Sequence, residues 1–508
     1  MKNKYRRMIG SRLVVTALAV LLEAAWLAWL LRFLAPYALV INTVLTVLAV
    51  VFVLYVASKR DEAGYKILWL IAILTFPIFG AVLYLCFGDK KTGIPLKRRL
   101  EQSRQGLGER PAQDTETEEA LASDSLRISQ TFRYISRLSG YPVCANTSAD
   151  YYALGDTLYP VMLEELRKAE RFIYLEYFIV EEGEMWDSIA NILEEKAAQG
   201  VDVRMIYDDL GSLPMLPPDY SARLEARGIK CISFNPMRLF LSGTLNNRDH
   251  RKIMVIDGRV AFSGGINLAD EYINAVVKHG HWKDGGFRIT GPAVQSYTDM
   301  FAEFWNAFSK LPFPRAELGE AAHCPPSDGY VLPYYDSPMN RDAISNHLYM
   351  ELLDQATQYA WFFTPYLMLG DTLLDAFVRA AQRGVDVRIF MPGVPDKKII
   401  FRISRSFYRP LLEAGVKIYE YTPGFLHAKA CLVDGQLGTL GTVNLDYRSL
   451  FLHFECNALF YRASLLQDLK EDFLQTQSLC REITLQTLPA GLRHRLADCV
   501  LRILAPLC

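Results

Sequence analysis

The chain has 508 residues and a formal net charge of −1, with 55 Lys and Arg against 56 Asp and Glu. That length accommodates two or three domains, and the balanced charge excludes a globally basic protein built for bulk binding of nucleic acid. Nine cysteines are scattered with no C-x-x-C pair, which argues against a zinc site or a disulfide framework and suits a reducing compartment.

Three largely apolar runs come first, Leu13–Leu34, Leu39–Val56 and Ile67–Phe87, each of spanning or nearly spanning length. No A-x-A-like cleavage site follows the first, so it does not read as a removable leader. Glu23 and Arg32 interrupt that run, which leaves a tilted span, a paired helix or an interfacial helix open. Pro77 and Gly80 interrupt the third, which fits a kinked or re-entrant segment. Basic residues flank the block on both sides: Lys2, Lys4, Arg6, Arg7 and Arg12 before it, Lys90, Lys91, Lys97, Arg98 and Arg99 after it. The positive-inside rule puts both flanks in the cytoplasm, whereas three full spans would separate them. Either one run is not a full crossing or one flank breaks the rule. Residues 1–88 are read as a membrane module with two or three apolar helices, in a multi-pass membrane protein whose other domains are cytoplasmic.

Residues 89–125 are polar, charged and poor in aromatics. They read as a juxtamembrane linker whose basic first half either rests on anionic headgroups or is simply solvated.

The chain then repeats itself. Arg171–Tyr177 reads as a buried strand, Met185–Gln199 as an amphipathic helix and Val201–Tyr207 as another strand; Tyr359–Tyr366, Thr372–Arg383 and Val385–Phe390 answer them. Gly200-Val-Asp-Val-Arg204 and Gly384-Val-Asp-Val-Arg388 match residue for residue. Such alternation predicts an α/β fold with two pseudo-symmetric α/β sandwich domains, at 126–325 and 326–508, each with a mainly parallel sheet. The first half carries an additional stretch with Met237-Arg-Leu-Phe-Leu241, read either as a lip that admits lipid or as a packed surface loop. Gly491–Cys508 sets Leu492, Leu496, Val500, Leu501 and Leu504 against Arg493, Arg495 and Arg502. That is an amphipathic basic helix for a membrane surface or for docking on the protein body.

Each half contains one copy of a short pattern. His250-x-Lys252-x4-Asp257 and His427-x-Lys429-x4-Asp434 share their spacing, and Asn267 and Asn444 each follow seventeen residues after the His. Each motif reads as strand, Asp-Gly turn, strand. Residues i and i+2 of a strand share a face, so each His projects with its Lys. An imidazole beside an ammonium suits a phosphodiester: the Lys neutralises phosphoryl oxygens while the His attacks or protonates. Asn267 and Asn444 would add amide donors to the same oxygens. Asp257 and Asp434 sit where Asp is favoured for backbone reasons alone, so a structural and a chemical role are both open. Asp284 and Glu455, in comparable places before the next strand, are the better candidates to hold a His ring in one tautomer. Two half-sites suggest that one His forms a phosphohistidine while the other protonates the leaving alcohol and deprotonates the incoming one. No metal or other cofactor is called for, and the Lys in each motif is a poor metal ligand. His279 and His281 read as structural or rim residues, and His347 and His494 as helix residues. Tyr177 and Tyr366 read as equivalent strand ends with buried packing as the default.

These residues carry a resemblance. The two HKD motifs, with Leu426-His-Ala-Lys429 and Gly441-Thr-Val-Asn-Leu-Asp446, resemble the phospholipase D superfamily. With the apolar Leu68-Trp-Leu-Ile71 and Phe76-Pro-Ile-Phe-Gly80 segment ahead of them, the chain is similar to the bacterial cardiolipin synthases. The resemblance implies phosphatidyl transfer between two phosphatidylglycerol molecules in the cell membrane, giving cardiolipin and glycerol. It implies His250, Lys252, Asp257, His427, Lys429 and Asp434 as the active-site set, with His250 as nucleophile and His427 as acid/base, or the reverse. Its partners would be membrane phospholipids and the bilayer, with no nucleic acid; the oligomeric state is left open. A hydrolytic phospholipase D, or headgroup exchange with another alcohol, would use the same residues.

Overall fold

The structure, a computed structural model, describes residues 17–18, 20–29, 37–59, 61–88, 94–236, 246–313 and 327–507. It divides into an N-terminal unit that ends at Ile94 and a larger unit that carries both halves of the repeat.

In the N-terminal unit, Leu39–Ala57 lies in one continuous helix with a mean hydropathy of 2.6. Among the described residues it is the one helix long and apolar enough to cross a membrane. Within the first run, Val20–Trp29 is helical; its ends and the basic flank before it lie outside the described residues. The third run is not one helix. It breaks at Phe76 into Ala63–Thr75 and Pro77–Leu83, because Pro77 has no amide hydrogen to continue the ladder and fits the first turn of a new helix. The second piece folds back on the first: a Cβ on Gly80 would lie 2.4 Å from the Ala72 carbonyl oxygen. Tyr65 Oη donates to the Gly88 carbonyl at 3.2 Å, which joins the two ends of the hairpin. Trp69, Ile73 and Tyr84 are buried inside it against Val56 of the long helix.

The segment expected to be a linker differs from that expectation. Ile94–Leu107 and Thr115–Asp124 are helices, and Asp114 caps the second by accepting from the Thr117 amide at 3.0 Å. The polar composition concealed a narrow stripe, Leu96, Leu100, Ser103 and Leu107, by which this helix packs into the core of the larger unit, to which it belongs. Ser103 Oγ donates to the Glu303 carbonyl at 2.6 Å, and Arg110 pairs with the Glu303 carboxylate at 2.5 Å.

The larger unit is built on two sheets of matching order. The first comprises β1 (Ser148–Tyr152), β2 (Phe172–Tyr177), β3 (Asp202–Asp208), β4 (Lys230–Phe234), β5 (Lys252–Ile256), β6 (Val260–Gly264) and β8 (Gly286–Thr290), ordered β1-β8-β6-β5-β2-β3-β4. Between β6 and β8 runs β7 (His281–Lys283). The second sheet is β9 (Tyr330–Asp336), β10 (Tyr359–Phe363), β11 (Asp386–Pro392), β12 (Lys417–Tyr421), β14 (Ala430–Val433), β15 (Leu437–Gly441), β16 (Glu455–Tyr461) and β17 (Cys480–Ile483). Its order, β17-β12-β11-β10-β14-β15-β16-β9, repeats the first with one strand added. The remaining strand, β13 (Gly424–Leu426), pairs in parallel with β7 and forms a ribbon between the halves.

The sheets are mixed rather than mainly parallel. Only β2–β3–β4 and β10–β11–β12 are parallel, and every other pairing in the two large sheets is antiparallel. Helices cross over between the first strands of each half; the motif hairpins β5–β6 and β14–β15 then add to the other side of β2 and β10. The stretch Met237–Leu241, read as a lip or a loop, lies outside the described residues.

Candidate active site

His250 precedes β5 and His427 precedes β14, and each is fastened to the opposite half. The His250 amide donates to the Phe454 carbonyl at 2.9 Å, and the His427 amide to the Lys283 carbonyl at 2.7 Å. Phe454 and Lys283 are the residues just before Glu455 and Asp284, so the orienting carboxylates are exchanged between halves. His250 Nδ1 lies 2.9 Å from both Glu455 carboxylate oxygens, and His427 Nδ1 lies 2.6 Å from Asp284 Oδ2. With Nδ1–H donated to a carboxylate, each ring keeps Nε2 for chemistry. Both imidazoles are more than nine-tenths buried and both carboxylates completely so.

The two pairs are not electrostatically alike. Burial, then the ammonium groups of Lys252 and Lys429, hold His250 well below the ordinary imidazole range. Burial and Lys429 bring His427 down to about 4. Burial opposes the Asp284 anion, but Lys429, His427 and Lys252 outweigh it and lower its pKa. Glu455 goes the other way: burial raises it well above the usual carboxylate range, against the pull of Lys252. Thr442 Oγ1 donates to it. At the position equivalent to Thr442 stands Gly265, where a Cβ would meet Asp284 Oδ1 at 2.1 Å. The shorter carboxylate thus lies against bare backbone and the longer one under a hydroxyl.

Lys252 and Lys429 are buried, and each Nζ donates to the carbonyl of its own motif His. Burial lowers Lys252 to about 8 and Lys429 to about 7. Because a lysine with a depressed pKa loses its cation sooner as pH rises, kcat/KM for a phosphodiester substrate should fall as pH rises through about 7 to 8. A pH–rate profile checks this; a plateau held to pH 10, near the ordinary lysine value, would contradict it.

Asn267 and Asn444 part company. Asn267 Oδ1 accepts from the Ile179 amide at 3.0 Å and its Nδ2 donates to Tyr272 Oη at 2.6 Å, so this amide is engaged in holding the pocket wall. Asn444 Oδ1 is buried without a hydrogen-bond partner among the described residues.

Asp257 and Asp434, expected as possible members of the catalytic set, do not reach the His rings. Asp257 accepts from the amides of Glu170, Arg171 and Phe172 at 2.8–2.9 Å. Asp434 accepts from those of Thr357, Gln358 and Tyr359 at 2.8 Å. Both sit at the far end of the motif strand in turns where Asp and Gly each have positive φ, the geometry a tight hairpin needs. They tie the hairpin to the start of the neighbouring parallel strand. Replacing either by Ala strands three amides and should cost about 2–3 kcal/mol of stability, while turnover per folded molecule changes little. Thermal unfolding beside active-site titration separates the two effects.

The His pair is walled by rings. Phe178 stands 5.0 Å from His250, and Tyr272, Trp282 and Phe425 stand 5.6–5.7 Å from His427. His453 was not singled out by motif reasoning, yet its ring lies 5.7 Å from His250 and neither nitrogen has a hydrogen-bond partner among the described residues. It occupies the place that Trp282 occupies in the other half-site, two residues before the carboxylate; that spacing was the signal available in the sequence. His250, His453 and Glu455 offer ligand atoms within 4.8 Å of one another. Burial lowers both histidines, and the nearby cations that lower them further, Lys252 on both, Lys429 on His250 and Arg448 and Arg248 on His453, would repel a dication. His281 Nδ1 meets Tyr421 Oη at 3.0 Å on the rim, and His347 meets Tyr134 Oη at 2.8 Å away from the site. The expected equivalence of Tyr177 and Tyr366 shifts by two residues. The Asp257 and Asp434 contacts align Phe172 with Tyr359, so Tyr366 answers Ile179, and its hydroxyl donates to Asp396 at 2.7 Å.

With that geometry in view, comparison with known proteins is decisive. The family described as cardiolipin synthase, PLD-like domain, matches residues 162–305 and 349–477, and the phospholipase D-nuclease N-terminal family matches residues 44–88. The chain belongs to the cardiolipin synthase family of PLD-like proteins. A cardiolipin synthase from Geobacillus sp. is 36% identical over 92% of this chain and 93% of its own length. An uncharacterized protein of Streptococcus mutans is 42% identical over 90% of this chain and 99% of its own. Among solved structures, phosphatidylserine synthase from Haemophilus influenzae shares the fold with a TM-score of 0.56 at 17% identity, covering 74% of this chain and 98% of that one. The chain is accordingly a phosphatidyltransferase and a membrane protein.

Proposed function

We propose that the enzyme moves a phosphatidyl group from one phosphatidylglycerol to the terminal glycerol hydroxyl of another, releasing glycerol and giving cardiolipin. The observation that carries the mechanism is the pair of exchanged His–carboxylate couples, each with a Lys, buried together in one site. His250 Nε2 attacks phosphorus, and the P–N bond forms as the bond to the glycerol oxygen breaks. His427, protonated on Nε2 once the phosphodiester anion offsets the burial and the lysines that depress it, gives that oxygen its proton. The acceptor hydroxyl then loses its proton to His427 and attacks phosphorus, which breaks the P–N bond and frees His250. Lys252 and Lys429 neutralise the non-bridging oxygens. The ring walls favour a lipid alcohol over water by leaving little polar surface to solvate water beside phosphorus.

The hairpin supports one topology. Ala63–Gly88 returns to its own starting end and does not count as a crossing. If Leu13–Leu34 and Leu39–Ala57 both cross, the basic flanks lie on one side, and the positive-inside rule makes it the cytoplasm together with the catalytic unit.

The test is a product assay on purified full-length enzyme in liposomes, with labelled phosphatidylglycerol and chelator present. Cardiolipin with one glycerol per molecule is the expected result. Phosphatidic acid alone would identify a hydrolase, and turnover that needs a different added alcohol would move the acceptor assignment.

A further inference from the structure

A lipid substrate has to pass from the bilayer into a site whose histidines are buried, and the surface beside His427 gathers exposed aliphatic side chains from both halves. The β7–β13 ribbon leads directly into His427 and anchors a loop from each half. Asn274 grips the Trp282 backbone through both side-chain atoms, at 2.8 and 3.1 Å, and so holds the following residues 275–279 at the ribbon. Across the ribbon, the amides of Gly393 and Val394 donate to the Gly424 carbonyl, and Asp396 accepts from Tyr366, whose ring faces Phe425. Each loop exposes aliphatic side chains next to lysine: Val276 and Val277 before Lys278, and Ile399 after Lys397 and Lys398. Val277 is 80% exposed and Ile399 73%.

The second loop runs into helix Lys398–Ser406, and that helix packs against the C-terminal helix Leu492–Leu504, held in part by the Arg402–Asp498 pair at 3.0 Å. The C-terminal helix docks through Asp498, Leu501 and Arg502. Its aliphatic stripe, Leu492, Leu496, Val500 and Ile503, points to solvent, with Leu496 58% exposed, and Arg493 and Arg495 flank it. An amphipathic helix of a soluble body turns that stripe inward. Turned outward and edged with Arg, it has the form of a helix lying in the headgroup region of an anionic bilayer.

We propose that Val276–Lys278, Lys397–Ile399 and the outward stripe of the C-terminal helix form a single membrane-seating face around the His427 side of the site. Its partner is a bilayer surface bearing anionic phospholipid. The valines and leucines enter the interface while the lysine and arginine heads stay at phosphate level. Headgroups then pass from leaflet to His427 across the β7–β13 ribbon without leaving the interface. Lys278 is paired with Glu271 and Lys397 with Asp396. The remaining cations of the face, Lys398, Arg493 and Arg495, favour an anionic lipid surface over a second copy of a chain whose net charge is −1. The inference rests on the substrate being a membrane lipid.

Two measurements on the reconstituted full-length enzyme test it. Val277→Asp, Ile399→Asp and Leu496→Asp should each lower kcat/KM on phosphatidylglycerol vesicles by about tenfold, with turnover of monomeric short-chain phosphatidylglycerol unchanged and Val277→Leu near wild type. Separately, Trp introduced by Val277→Trp or Leu496→Trp should be quenched in nanodiscs by lipids brominated near the headgroup. Quenching is read without turnover, so it judges the face even if the acceptor assigned above is wrong. Unchanged vesicle kinetics, an equal loss on monomeric substrate, or unquenched Trp would overturn the proposal. So would a shift from dimer to monomer in the Asp variants, which would make the face a contact between copies.

Discussion

His250→Ala and His427→Ala are each expected to lower cardiolipin formation by about 10⁴-fold or more, and the double variant should be scarcely worse than either one. The two rings serve consecutive bond changes at one phosphorus, so losing one leaves the other without a partner step. Each variant also leaves a buried carboxylate without its imidazole donor, which should cost about 1–3 kcal/mol of stability, so the loss is read per folded molecule. The assignment of roles is open to a sharper test. A phosphatidyl ester whose leaving group needs no proton bypasses the general acid, so His427→Ala should still attack it. It should then accumulate a covalent adduct on His250, because no base remains to activate the acceptor. His250→Ala should form no adduct. Adduct on His427 in the His250 variant would reverse the roles, and full turnover by either variant would sink the two-half-site mechanism.

What sequence reasoning reached and what it missed divides along the range of the interactions. The repeat was readable because it is local: Gly-Val-Asp-Val-Arg, the motif spacing and the Asp-Gly turn each lie within a few residues. The same locality explains why the Asp role stayed open, since Asp257 and Asp434 bind amides 85 to 87 and 75 to 77 residues away. The sheets depart from the expected parallel arrangement because the strand–helix alternation governs only β2–β4 and β10–β12 and not the edge strands or the hairpins that follow. The helices of the expected linker were hidden by charge outnumbering a four-residue stripe. Pro77 and Gly80, by contrast, marked the hairpin at its turn, because both act on the backbone directly. Least readable was the exchange of carboxylates. Asp284 and Glu455 stand in equivalent positions of a duplicated sequence, so the pattern alone assigns each to either His. The separations, 143 residues for His427–Asp284 and 205 for His250–Glu455, are fixed by how the two halves meet.

That exchange makes the second prediction counter-intuitive. Asp284 lies in the same half as His250, yet Asp284→Asn should reproduce the phenotype of His427→Ala. An amide in place of the lowered, ionised carboxylate can donate to Nδ1 and so favour the tautomer with hydrogen on Nε2. The ring then cannot accept the proton of the incoming alcohol, a loss of about 10³- to 10⁴-fold by comparison with other His–Asp couples. With the activated ester, adduct should still build up on His250. Glu455→Gln should behave differently even though its partner is the proposed nucleophile. Burial holds Glu455 well above the usual carboxylate range, so losing its charge is a smaller change there. Thr442 donates to Oε2, which lies 2.9 Å from His250 Nδ1, so the Gln amide is held with its oxygen toward the ring and keeps accepting from Nδ1–H. The expected loss is about 10- to 100-fold, carried mainly by slower adduct formation. Mass spectrometry of the trapped enzyme distinguishes the two. If Asp284→Asn abolished the adduct and Glu455→Gln preserved it, each carboxylate would serve the His of its own half, and the exchanged pairing would not be the one that works during turnover.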